Sequence, residues 1–289
     1  MRFGMTSMSR GHPQSGMALI AVLWMVAALG IIVTGMVHAV RSEVRLVSGS
    51  RQMVVAGATG DAAIHLALQQ MIASSDRSGR LMNVSVVYQN QPIEVQIVPL
   101  NGLIDINLAS QPLLASLFSV GGKMSVDASI ALAQSTIETR SRQGSNGRPE
   151  GFEANEDLLR VPGLSYTLYA NIVDMITAAQ PGSGRVNALA APEAVLAVLA
   201  GGNIDRARNV ANERDAGRAG VDTITSLNSE FLDGATSQRF RIQARVPLAD
   251  GSAVLVSRSF DLSDDAKVGL PWRTFYTEQR LAPKLSPIN

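Results

Sequence analysis

One uninterrupted apolar run dominates the first forty positions. Residues 17–36 contain no charge and no proline, and Thr34 carries their only hydroxyl. An α-helix rises about 1.5 Å per residue, so a run of this length covers roughly 30 Å, the hydrocarbon thickness of a bilayer. The pattern predicts a membrane-spanning helix over 17–36, flanked by Arg2, Arg10 and His12 on one side and by Arg41, Glu43 and Arg45 on the other. A secretory signal peptide would have a shorter apolar region, about 7–15 residues, followed by a small-residue cleavage site. Here the small pair Ser15-Gly16 precedes the run. A buried core helix rarely lacks polar positions for so long. Flanking charge leaves the orientation open, because Arg41, Arg45 and Arg51 match the basic residues ahead of the run.

Apolar residues then continue at helical spacing through Val40, Val44, Val47, Val54 and Ala58, and again through Ile64, Leu68 and Met71. This predicts one helix from Met17 to about Ser74, apolar all round in its first half and amphipathic in its second. Gly49, Gly57 and Gly60 each cost about 1 kcal/mol relative to alanine, so the second half must lean on a globular domain. The polar run 74–79 ends the helix and the period changes to two. Residues 84–88 and 93–98 are rich in β-branched side chains and read as a hairpin around 89–92. A second hairpin is predicted from 240–246 and 253–262, joined through Asp250-Gly251.

Between the hairpins the period is helical, with helices predicted at 126–140, 154–161, 166–176 and 192–200, the last with Pro192 in its first turn. Loops rich in Gly, Ser and Pro fall at 143–151 and 180–185. Asn107 and Asn187 each stand five residues before a proline and a leucine-rich helix, a weak internal echo that reads as turns and helix caps. The fold class expected is α+β, with a long N-terminal helix packed on a small antiparallel sheet that a large all-α insertion interrupts. The divisions are a leader at 1–16, the helix at 17–75, the first part of the sheet at 76–106, the insertion at 107–235, and the rest of the sheet with a tail at 236–289.

Composition narrows the chemistry. The absence of cysteine excludes disulfides, thiolate metal sites and a cysteine nucleophile. His12, His38 and His65 are too scattered for histidine-based catalysis or a zinc site. No Gly-x-Ser-x-Gly elbow, phosphate-binding glycine loop or His-Glu-x-x-His motif is present, and an enzyme is not expected. The adjacent carboxylates Glu156 and Asp157 point to different faces of a helix and read as N-terminal charge. The stretch "LLRVPGL" at 158–164 resembles a helix-hairpin-helix DNA-binding turn, so a membrane-anchored nucleic-acid binder is the competing class. Residues 151–233 carry six basic against eleven acidic side chains, a balance of −5, and that field disfavours phosphate binding. Pro162-Gly163 then simply turns the chain between two packed helices. The mixed charges of 208–218 read as a solvated helix face, and Trp272, Phe275 and Tyr276 as packing against the sheet or meeting another subunit.

A basic leader ending in glycine directly before a membrane helix resembles the signal of type IV pilins and type II secretion pseudopilins. The resemblance implies cleavage by a prepilin peptidase between Gly16 and Met17, and N-methylation of Met17. Most members of that group have glutamate at the fifth mature position, which pairs with a neighbour's terminal amine in an apolar filament core, where a lone charge is costly. That position is Ala21 here. The class that lacks the glutamate and carries a large helical insertion is general secretion pathway protein K (GspK). The chain resembles it in "ALIAVLW" (18–24), "IDINLAS" (104–110), "FEANEDLLRVPGLS" (152–165) and "RVNALAAPEAVLAVLAG" (185–201), in that order.

This resemblance implies a minor pseudopilin at the tip of a short pseudopilus, initiating or capping the fibre to support protein export across the outer membrane. The implied partners are minor pseudopilins of the I and J classes, the major pseudopilin, the prepilin peptidase and the inner-membrane secretion platform, with no nucleic acid. The implied location is the bacterial inner membrane, crossed once, with the C-terminal domain in the periplasm. A minor pilin of a type IV pilus is a further alternative. Family members often bind calcium in an aspartate-rich loop. The corresponding stretch offers only Glu138, Glu150 and Glu153, interleaved with arginines, and calcium prefers six to eight oxygen ligands. No cofactor is therefore expected, and those glutamates are weak calcium candidates. Asn-Leu-Ala and Asn-Ala-Leu at 107–109 and 187–189 depart from the family's more usual second asparagine and threonine.

Overall fold

A computed structural model of the chain describes residues 15–74, 79–144, 147–179, 181–217, 220–221, 225–263 and 269–282, without the side chains of 15–18, 34–35 and 37–48. The chain divides into two units, Met1–Val55 and Ala56–Asn289. Helix α1 covers Ser15–Ala73 as one element, in agreement with the expected extent.

In the first unit, every described side chain of α1 from Leu19 to Val33 is exposed, Trp24 at 73% among them. Among the described residues, no helix is long and apolar enough to cross a membrane. The ends of the predicted span, at 17–18 and 34–35, lie outside the described side chains, as does the leader at 1–14.

The second unit is built on an antiparallel sheet. The strands β1 (Met82–Tyr88) and β2 (Gln91–Pro99) precede the insertion. Within the insertion, β3 (Ile104–Asp105) pairs in parallel with β4 (Ile176–Thr177). After it come β5 (Arg239–Pro247), β6 (Ala253–Asp261) and β7 (Arg273–Ala282). The large sheet has the order β1-β2-β5-β6-β7, so the strands on either side of the insertion are direct neighbours. Strand β5 explains the choice of period: Phe240, Ile242, Ala244 and Val246 are buried while the intervening Arg239, Arg241, Gln243 and Arg245 are half-buried.

The first hairpin is tighter than expected. Gln89 and Asn90 take φ of 50° and 63°, forming a two-residue turn whose left-handed backbone matches the twist of the strands. Pro92 lies inside β2 opposite Val87, one residue past the closing pair Tyr88–Gln91, where no ladder bond to β1 is needed.

The last part of α1 turns Ala63, Ile64, Ala67, Leu68 and Met71 into the core. Its glycines are the points of closest approach to the sheet. A Cβ on Gly60 would sit 2.5 Å from Val256 Cγ2, and one on Gly57 would sit 2.7 Å from Gln279 Oε1. Asp61 and Arg258 form an ion pair at 2.8 Å across the same seam. The helix accepts poor intrinsic propensity there because tertiary packing outweighs it.

The insertion holds α2 (Gln111–Ser116), continued by a π-helical turn at Leu117–Gly121, then α3 (Val126–Arg140), α4 (Tyr166–Ile172), α5 (Glu193–Leu199) and α6 (Ile204–Asp215). Leu114, Phe118, Leu158, Ile172, Ile176 and Leu196 are fully buried in its core. Four expectations are corrected. Residues Asn155–Arg160 form a 3-10 helix, and the helix expected to reach 176 stops at Ile172 because Ile176 and Thr177 join β3. The segment around Trp272 supplies strand β7 in addition to packing against the sheet. Arg214 is buried in an otherwise solvated charge run, donating to the Ala191 carbonyl and meeting Asp215 at 2.7 Å.

Candidate functional site

Two features of the chain bear on its function. The first is the apolar stretch of α1, whose exposed residues include Leu19, Ile20, Leu23, Trp24, Ile31 and Ile32. Apolar side chains on every side of a helix need an apolar environment from elsewhere. Ala21 lies within this stretch and is exposed. Gly16 and Met17 are placed as the second and third residues of α1, and their surroundings lie outside the described side chains.

The second feature is the way the helical insertion is fixed to the sheet. Arg241 on β5 donates to the carbonyls of Ile176 (2.7 Å) and Asp174 (3.3 Å), and burial lowers its pKa. Arg280 on β7 grips both Asp174 oxygens at 2.6 Å and meets Glu278 at 3.3 Å. Tyr276 donates to Glu156 at 2.7 Å, and burial followed by that bond raises the phenol's pKa. Burial also raises the pKa of Glu278, opposed by the nearby Arg280 and reinforced by Asp174. Arg239 meets Asp261 at 2.9 Å, stacks over Phe275 and donates to the Ala179 carbonyl.

Two asparagines bind the loops together. Asn107 donates to the carbonyls of Phe152 (2.8 Å) and Ala178 (3.1 Å) and accepts from the Phe152 amide (2.8 Å). Asn187 donates to the carbonyls of Gly79 and Ala235, both at 3.1 Å. Both are therefore cross-links between distant segments and not caps, while Asn187 also forms the expected local turn, its Oδ1 accepting from the Leu189 amide at 3.0 Å. At the first of the two turns the local bonds come from Asp105, whose carboxylate accepts from the amides of Asn107 and Leu108. Arg140 adds bonds to the carbonyls of Ile106 and Ala109, each at 2.9 Å.

No family model and no curated relative matches the chain. Among solved structures, it is similar to a chain of the GspK–GspI–GspJ complex of the type 2 secretion system of enterotoxigenic Escherichia coli. The two are 14% identical with a TM-score of 0.49, over 82% of this chain and 99% of that one.

The calcium candidates are not gathered. Glu138 is exposed and accepts from Gln134, Glu150 pairs with Arg160 at 3.3 Å, and Glu153 is exposed. Among the described residues, no group of three or more histidine, aspartate or glutamate side chains is arranged to hold a metal. Glu156 and Asp157 separate as expected of adjacent helical residues, but only Asp157 bonds at the helix start, to the amides of Glu153 and Ala154. Glu156 instead reaches β7, a partner no local pattern reveals. In the hairpin at 158–164, Gly163 takes φ of 91°, a Cβ there would lie 3.8 Å from Leu132, and Arg160 is paired with Glu150 and Asp157. That geometry suits a packed structural turn better than a phosphate cradle.

Proposed function

We propose that the chain is a minor pseudopilin of the K class, acting by assembly and not by catalysis. In this reading residues 17–36 anchor it in the bacterial inner membrane, crossed once, and the second unit lies in the periplasm. Prepilin peptidase cleaves between Gly16 and Met17 and methylates Met17. Minor pseudopilins of the I and J classes then join it at the tip of the pseudopilus, where the helical insertion caps the fibre. The platform and the major pseudopilin extend the fibre from below. Ala21 suits a first subunit, which has no neighbour ahead whose amine must be neutralised.

The observation that carries the reading is the joint presence of a wholly apolar, exposed helical stretch and a small antiparallel sheet interrupted between neighbouring strands by a helical insertion. The test is mass spectrometry of the protein purified from membranes, with its own I- and J-class pseudopilins co-expressed. A methylated N-terminus at Met17 and co-purification of both partners are expected. An intact Met1 in the membrane-extracted protein, or no recovery of either partner, overturns the reading.

A further inference from the structure

Where β7 faces the insertion, the charges do not balance among the described residues. Arg241 on β5 and Arg280 on β7 supply two positive charges. Glu278 on β7, Asp174 in the turn after α4 and Glu156 in the 3-10 helix supply three negative ones. The remaining titratable groups of the cluster, Tyr169 and Tyr276, stay neutral, because burial raises both phenols above their ordinary pKa. On the sheet, the residue paired with Glu278 is Ser257 of β6, which is uncharged and 3% exposed. Arg258 beside it pairs with Asp61 of α1 and meets Glu278 through the backbone carbonyl, at 3.0 Å.

Two of the three carboxylates have close partners. Asp174 accepts from Arg280 Nη2 through both oxygens at 2.6 Å, and Glu156 accepts from Tyr276 at 2.7 Å. Arg241 uses its Nη groups on the carbonyls of Ile176 and Asp174. Glu278 is left with a 3.3 Å approach to Arg280 Nε, and that Nε makes no hydrogen bond. The Glu278 side chain is 28% exposed, so water solvates its charge only in part. An uncompensated buried charge is costly, and a proton on the least well paired carboxylate relieves it.

We propose that this seam is a proton-controlled clamp. With Glu278 protonated, two arginines balance Asp174 and Glu156 and hold residues 173–177 of the insertion on the sheet. Ionised Glu278 repels both carboxylates and loosens that corner. The root of the insertion stays fixed, because Asn101 and Asn187 tie it to the Gly79 and Ala235 carbonyls through groups that do not titrate. Burial, reinforced by Asp174 and Glu156 and opposed by Arg280 and Arg241, raises the pKa of Glu278, so the clamp closes as pH falls through that raised value. The clamp is independent of the assembly role proposed above.

Amide hydrogen exchange of the full-length protein in detergent tests it, read as protection factors that remove the intrinsic pH dependence of exchange. The Ile106 amide donates to the Thr177 carbonyl at 2.9 Å and reports on the corner. The Asn187 amide donates to the Asn101 carbonyl at 2.7 Å and reports on the root. Raising the pH from about 5 to about 8 should lower the protection of Ile106 about tenfold and leave that of Asn187 unchanged. Glu278→Gln keeps the size of the side chain and cannot ionise, so Ile106 should keep its low-pH protection throughout. Asp174→Asn restores two charges against two and should also flatten the profile, at lower overall protection because Arg280 loses its charged partner. Unchanged protection of Ile106 in the native protein overturns the clamp. So does a fall in Glu278→Gln equal to the native one, or a parallel fall at Ile106 and Asn187, which marks opening of the whole unit.

Discussion

Gly60→Ala separates two opposed effects at one atom. On an isolated helix the substitution stabilises by about 1 kcal/mol, because alanine loses less backbone freedom than glycine. Here the added methyl carbon would lie 2.5 Å from Val256 Cγ2 and 2.8 Å from Val256 Cβ, inside any real contact distance. Val256 is fully buried in β6 and cannot swing away into solvent. Overpacking of this kind costs about 1–3 kcal/mol. A contact as short as 2.5 Å belongs at the upper end of that range, about 2–3 kcal/mol, so the clash should outweigh the propensity gain and leave a net loss of about 1–2 kcal/mol, or roughly 2–8 °C in melting temperature for a domain of this size. Thermal and urea unfolding of the full-length protein in detergent measure it. Val256→Ala frees the same space, so the double variant should be more stable than the two single losses predict, by about 1 kcal/mol or more. A stabilised Gly60→Ala, or strict additivity with Val256→Ala, would refute the packing argument.

Asn107→Ala removes both bonds from Nδ2 and leaves the Phe152 amide without its side-chain acceptor. The loss should be about 2–3 kcal/mol in urea unfolding, well above the ~1 kcal/mol of a simple cap. Glu278 titrates with the opposite sign to the paired aspartates. Its folded pKa is raised above the ordinary 4.5, so the folded state holds the extra proton and gains stability as pH falls through that raised value toward 4.5. Asp261 and Asp233 have lowered folded values, so their stabilisation is present above 3.8 and is lost as pH falls through those values. Glu278→Gln should therefore abolish the rise in melting temperature on mild acidification while leaving the loss at lower pH intact. A pH profile unchanged by the substitution would show that Glu278 does not carry it.

The long helix, both hairpins and the insertion between them were legible because each follows one period over many residues. The second half of α1 shows its buried stripe at Ile64, Leu68 and Met71, and β5 alternates without a break. Strand β7 was not legible as a strand because its two faces meet different neighbours. Tyr276 and Arg280 bond to the insertion while Gln279 lies against α1 at Gly57, so neither face shows a clean apolar pattern. Strands β3 and β4 are too short to have a period at all. Arg214 did leave a signal, since it falls on the same helix face as the buried Ala207, Val210 and Ala211. Asn107 and Asn187 were visible as a repeated pattern, but the partners of their side-chain amides lie 45 to 108 residues away, beyond any local rule.

That non-local bonding answers how a sheet tolerates an insertion between neighbouring strands. Closing a loop of this length costs little more than closing a shorter one, because the entropy grows only with the logarithm of length. The greater demand is on the buried polar groups where the chain leaves and rejoins the sheet, which must find partners. Asn101 and Asn187 both bond to the Ala235 carbonyl near the return, and Asn187 also bonds to the Gly79 carbonyl ahead of β1. Arg239 and Arg241, at the start of the returning strand, bond to the carbonyls of Ala179 and Ile176. Departure and return are thus tied at one junction. In the proposed role this matters mechanically, because a cap joined to its sheet by half-buried arginines and by asparagines moves with the sheet and keeps its outer surface in a fixed register with the neighbouring subunits.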